Sequence, residues 1–154
     1  MADAGGRRTA TVMRPFDQSL PMALLRAREA VMRGFRRLLR EHGLNEQEWR
    51  IMRALMEAGK LEIGELAERV FILKPSATRT VKNLEARRIV SRSRPMSDQR
   101  RALIALTPRG RALFDELAPH SELEYARITQ RIGRRDMDGL YVLLGRVTDA
   151  LNRD

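Results

Sequence analysis

The chain contains no cysteine. That absence excludes a disulfide framework, a thiolate metal site and a thiol redox switch. No apolar run approaches the roughly 20 residues of a membrane span. Met1 to Gln18 also lacks the apolar stretch of a secretory signal. A cytoplasmic protein with no membrane partner is the resulting expectation. Histidine is scarce too, with only His42 and His120. His120 stands at helical spacing from Glu116 and Glu124, a pattern that could suggest a metal or an acid–base pair. A lone histidine among carboxylates on a charged helix face is far more often solvated surface. There is no Gly-rich phosphate loop and no nucleophile motif. The chain reads as a non-enzyme with no cofactor.

Positive charge, by contrast, is abundant. The 154 residues carry a formal charge of +10, which points to a polyanionic partner. A 43% apolar fraction is enough for a core despite 32% charged residues. The charge is concentrated: Lys60 to Leu106 holds eleven cations against five carboxylates, whereas Thr107 onward is neutral. A merely solvated surface has no need to gather its charge on one segment.

That segment has the pattern of a helix-turn-helix followed by a basic β-hairpin. Ile63, Leu66, Ala67 and Val70 mark one face of a short helix, read over Glu62 to Val70. A second helix is read over Pro75 to Arg87, with Pro75 suited to its first turn. Its inward face takes Ala77, Val81 and Leu84, leaving Ser76, Thr78, Arg79, Lys82 and Asn83 outward. Small hydroxyls, an amide and long cations are what base and phosphate readout needs. Strands over Ile89 to Arg94 and Ala102 to Leu106 then flank a loop rich in arginine. Helix-turn-helix units place their second helix in the DNA major groove, and an Arg-rich hairpin can reach phosphates or the minor groove.

Further helices surround this unit. Residues 1–18 read as a mobile arm. Leu24, Leu25, Val31, Phe35, Leu38 and Leu39 repeat at helical spacing over Leu20 to Glu41, and Gly43 suits a left-handed cap after it. Asn45 and Glu48 form a capping-box pattern ahead of Trp49, Met52, Leu55 and Met56. Thr107-Pro108 opens a long helix to about Ile132, in which Pro119 implies a bend or break. A last helix from near Asp136 carries Leu140, Leu143, Leu144, Val147 and Leu151 on one stripe. The outer helices hold more apolar surface than a small winged-helix unit can cover, so a second copy is the natural cover. The expected fold is mainly α: a winged helix-turn-helix whose N- and C-terminal helices form a dimerisation region.

Glu65-Leu-Ala, Ser76-Ala-Thr-Arg79, Leu84-Glu85, Asp98-Gln-Arg100 and Leu106-Thr-Pro-Arg-Gly110 stand in one order and spacing. Together they resemble the MarR family of bacterial winged-helix regulators, over Leu20 to the end. Ser19 to Glu29 and Gly43 to Trp49 are similar to its homoprotocatechuate-degradation-operon branch. The resemblance implies one domain over 19–154, with the DNA-binding part at about 45–106 and dimerisation helices at 19–42 and 107–154. It implies a homodimer on a near-palindromic double-stranded operator, usually a repressor released by a phenolic or aromatic-acid effector. Ser76, Thr78, Arg79 and Lys82 correspond to the recognition-helix contacts, with Asn83 beside them. Asp98 and Arg100 match the wing motif, flanked by Arg94 and Arg101. Arg88 stands where the family usually has glycine, so either the cap differs there or the chain tolerates a strained left-handed residue.

An aromatic acid would need a cation for its carboxylate and an apolar slot for its ring. Ser19, Arg26, His42 and Trp49 are the candidates. Each also has a structural reading: an N-cap, a surface arginine, a helix-end histidine and a core tryptophan. One alternative is a regulator of the same kind with a different inducer or none; the contrasting functional class is a less specific basic nucleoid-associated or RNA-binding module. Such a binder has no need of Ser76, Thr78 and Asn83 beside its cations.

Overall fold

The computed structural model describes residues 13–153. Of the arm expected over 1–18, residues 1–12 lie outside that range, while Phe16–Gln18 form a single 3-10 turn. Six helices follow among the described residues: α1 Leu20–Glu41, α2 Glu46–Ala58, α3 Ile63–Arg69, α4 Lys74–Ala86, α5 Pro108–Ile132 and α6 Arg134–Leu151. Three short strands, β1 Lys60–Glu62, β2 Val90–Ser93 and β3 Leu103–Leu106, form an antiparallel sheet in the order β1-β3-β2.

The chain divides into two units, Met1–Arg33 and Gly34–Asp154. In the first, the Arg26 guanidinium donates to the Asp17 carbonyl at 2.6 Å and to its carboxylate at 3.3 Å. Leu20, Leu24, Leu25 and Val31 are exposed.

The second unit holds the core. Leu39, Leu44, Trp49, Ile51, Met52, Leu55, Leu66, Val70, Val81, Leu84, Ile89, Ile104, Leu106 and Leu117 pack together from five helices and the sheet. On α2, α3 and α4 the stripes read from periodicity face the core, because burial of apolar area is the main force holding these short helices in place; the stripe of α6 does not. On α2 the capping box is complete: the Glu48 N–H donates to Asn45 Oδ1 at 3.0 Å and the Asn45 N–H to Glu48 Oε2 at 2.9 Å.

Three helices end in the same Schellman arrangement, with a left-handed residue one past the cap. After α1 it is Gly43, where the Leu44 N–H reaches the Leu39 carbonyl at 2.8 Å. After α3 it is Phe71 at φ 53°, with Ile72 N–H on Ala67 at 3.1 Å. After α4 it is Arg88 at φ 58°, with Ile89 N–H on Leu84 at 2.9 Å. In that last case the apolar pair Leu84 and Ile89 is fully inside the core, so burial holds the cap shut against the strain at Arg88.

Two readings are corrected, and a third loses one of its alternatives, the break at Pro119. Strand β1 stands ahead of α3, where no strand was read: Leu61 pairs with Ile104 and Glu62 with Leu103. Its three residues are too few to show an alternation, and the partner strand supplies the pattern. The wing strands are shorter than read, since Arg94 and Ala102 have no partner in the β2–β3 register. Helix α5 runs unbroken through Pro119. The ring is exposed, so the carbonyl that loses its N–H partner lies on a solvated side.

Candidate nucleic-acid interface

Helix α4 is seated by Ala77, Thr80, Val81 and Leu84, all buried. The opposite face is the one read as outward: Arg79, Lys82 and Asn83 are exposed, and Ser76 and Thr78 are half-buried. The Thr78 hydroxyl donates to the Lys74 carbonyl at 2.9 Å. It therefore presents its methyl and its lone pairs, which suit a thymine methyl or an exocyclic amine. Thr80 makes the same bond to Ser76 at 2.9 Å, but faces inward.

The wing loop projects between β2 and β3. Its tip is shaped by Asp98, whose Oδ1 accepts the Arg100 backbone N–H at 3.0 Å, and by Gln99, which donates to the Pro95 carbonyl at 3.1 Å. The Asp98 contact is the local turn expected of that residue type. Arg94 and Arg100 are exposed. Arg101 differs from them: it pairs with Glu62 at the end of β1, and that carboxylate raises its pKa. Arg92 lies 3.8 Å from Glu85 of α4. The wing base is thus tied by two acids while the arginines nearer its tip stay free to meet phosphate. Glu62 was missed as a wing partner because the pairing arises only from the β1–β3 register.

The wing is anchored to α5 through Leu106-Thr-Pro-Arg-Gly110. The Thr107 hydroxyl accepts the Gly110 N–H at 3.0 Å as the helix cap and donates to the Arg88 carbonyl at 2.6 Å. A side chain at Gly110 would collide with the Ile89 backbone carbonyl, which explains glycine inside the first turn of a helix.

The four effector candidates fall in different settings. Ser19 and Arg26 belong to the N-terminal unit, where Ser19 caps α1 through the Met22 N–H at 3.4 Å and Arg26 is held by Asp17. In the second unit His42 donates from Nδ1 to the Leu38 carbonyl at 2.9 Å and turns Nε2 toward Glu116, 3.5 Å away. Trp49 is buried and stacks on Phe114 of α5, centroids 5.1 Å apart.

A cation on the same helix as Trp49 was overlooked. Arg53, one turn after Trp49 on α2, donates to the Tyr125 hydroxyl at 3.1 Å, and Tyr125 packs on Phe35 at 4.8 Å. Spacing of four residues from Trp49 was the available signal for Arg53. Nothing local marked Tyr125. Arg53 also lines a cavity of about 250 Å³ with Arg50, Arg69 and Phe71. His120 and Glu116 are exposed, while Glu124 pairs with Arg127 at 2.5 Å. Among the described residues no cluster of three His, Cys, Asp or Glu could hold a metal, and no helix is long and apolar enough to cross a membrane.

Residues 42–101, the α1–α2 corner through the wing, match the MarR family. The chain is 37% identical over 137 residues to the HTH-type transcriptional regulator FarR of Neisseria gonorrhoeae, covering 87% of this chain and 94% of that one. It is 40% identical over 126 residues to the homoprotocatechuate degradative operon repressor of Escherichia coli, covering 82% and 85%. The crystal structure of NadR in complex with 4-hydroxyphenylacetate superposes with a TM-score of 0.74 at 36% identity, over 88% of this chain and 96% of that one. The first two of these relatives are a transcriptional regulator and an operon repressor, not enzymes. The sequence motifs, the winged helix-turn-helix and relatives spanning almost the whole chain agree: it belongs to the MarR family of transcriptional regulators.

Proposed function

We propose that the chain acts as a homodimeric repressor of an aromatic-acid catabolic operon, released from a near-palindromic operator by a phenolic or aromatic carboxylate. In this reading α4 enters the major groove and reads bases through Ser76, Thr78, Arg79, Lys82 and Asn83. Arg94 and Arg100 of the wing meet phosphate or the minor groove, while Asp98 shapes the loop and Arg101 steadies its base. The observation that carries the reading is the division of α4, one face buried in the core and the other offering hydroxyls, an amide and cations.

Dimerisation is supported by α6, on which no residue is buried and Leu140, Leu143, Leu144, Val147 and Leu151 all face solvent in the single chain. A soluble chain does not leave such a stripe bare, and a second copy covers it while setting two recognition helices about one DNA turn apart. Binding of an operator places the proposed activity in the cytoplasm.

For the effector, Arg53 offers a guanidinium fork to a carboxylate, and Tyr125, whose hydroxyl it meets, offers a ring and a phenol, with Trp49 one turn before Arg53 on α2. The relative solved with 4-hydroxyphenylacetate supports this ligand class, since that molecule is a phenol carrying a carboxylate. Titrating 4-hydroxyphenylacetate into the protein bound to its preferred duplex is the test. Wild type is expected to release the DNA and Arg53→Met to stay bound. Equal responses, or none in wild type, would contradict the effector assignment.

A further inference from the structure

We infer that Arg87 is a positioning residue for DNA reading: with the buried carboxylate of Glu48 it fixes the C-terminal end of α4 to the corner between α1 and α2. The inference rests on the base-reading role proposed for α4. The other buried contacts of α4 are apolar through Ala77, Val81 and Leu84, and near mid-helix Thr80 donates to Gln47 Oε1 of α2 at 3.3 Å. The apolar contacts are non-directional, and a single bond near mid-helix gives the helix a pivot without fixing its tilt. Arg87, the cap residue of α4, supplies direction. Its Nη1 donates to Glu48 Oε1 at 3.0 Å and its Nη2 to the Gly43 carbonyl at 2.7 Å, the two arms of one rigid fork.

Glu48 is only 3% exposed. Its second oxygen accepts the Asn45 N–H at 2.9 Å, so one carboxylate joins the α2 capping box to the end of α4. Deprived of Arg87, it would be a buried charge without a counter-ion. Both arms of the Arg87 fork are taken up by this corner, which leaves the side chain poorly placed to serve as a phosphate contact.

Leverage makes the contact matter for reading. Ser76 lies eleven residues up the helix from Arg87, about 16 Å along its axis. A tilt of about 10° at the anchored end displaces Ser76 by about 3 Å, more than a base-edge hydrogen bond tolerates.

The test uses full-length protein and the duplex that wild type selects from a random pool. The double variant Glu48→Gln/Arg87→Met removes both charges together, which avoids an orphaned ion. Its fold is checked by thermal melting and by emission of Trp49, the only tryptophan. Affinity for the selected duplex is expected to fall at least tenfold, with random-duplex affinity and the salt slope unchanged. If the double variant does not fold, Arg87→Lys keeps the charge but not the fork, and about a threefold fall in the same ratio is expected. An unchanged ratio in the folded variant overturns the inference. So does an equal loss on both duplexes with a flatter salt slope, which makes Arg87 a phosphate contact. If wild type selects no duplex at all, it is the base-reading role of α4 that fails.

Discussion

The carbonyl of Arg88 accepts the Thr107 hydroxyl at 2.6 Å, across the foot of the wing. The contact joins a left-handed cap at one end of the hairpin to the start of α5 at the other. Arg88 sits at φ 58° and is exposed, so its side chain contributes little to packing while its backbone is strained. Arg88→Gly is expected to stabilise the protein by a few tenths to about 1 kcal/mol, despite the greater unfolded-state entropy of glycine. Phe71→Gly, at φ 53° with the side chain 89% exposed, is expected to do the same. Denaturant midpoints check both, and a clear loss would mean that these side chains contribute more than their strain costs.

Arg79 is the exposed cation nearest the middle of the reading face of α4. A bidentate contact to guanine predicts that Arg79→Ala loses about 1–3 kcal/mol on the preferred duplex and much less on random DNA. Equal losses in a filter or anisotropy assay would make Arg79 a phosphate contact.

The wing arginines are expected to separate by their partners. Arg100→Ala removes a free cation and is expected to flatten the salt dependence of DNA binding by roughly one unit. Arg101 is already neutralised by Glu62, so Arg101→Ala is expected to change the slope less. A larger slope change for Arg101 than for Arg100, measured across a salt series, would reverse this assignment.

Leu144 lies on the bare stripe of α6 and is 37% exposed in the single chain. Leu144→Asp places a charge in the proposed dimer seam, where its lost hydration is not replaced. Sedimentation is expected to show a monomer, with tight operator binding lost alongside. A stable monomer binding the full operator at wild-type affinity would uncouple association from recognition.

The parts legible from sequence were those set by local rules. The Asn45–Glu48 box and the buried face of α4 follow from spacing within a few residues, whereas the Arg88 cap was legible only through the family resemblance. What was not legible depends on distant partners. Strand β1 exists because β3 offers it an edge, and Glu62 meets Arg101 only through that pairing. Arg53 and Tyr125 are 72 residues apart, so no local pattern could join them. Phe71 escaped notice because a phenylalanine at a left-handed position breaks the rule by which such caps are recognised.

Site-specific reading of double-stranded DNA is the central claim, and competition binding tests it most directly. The labelled duplex that wild type selects from a random pool is bound at physiological salt and challenged with itself and with scrambled DNA. The account predicts at least about a thousandfold preference for the selected duplex, and near-palindromic symmetry in its sequence. Equal competition by scrambled DNA would contradict it and leave only a basic, sequence-blind binder.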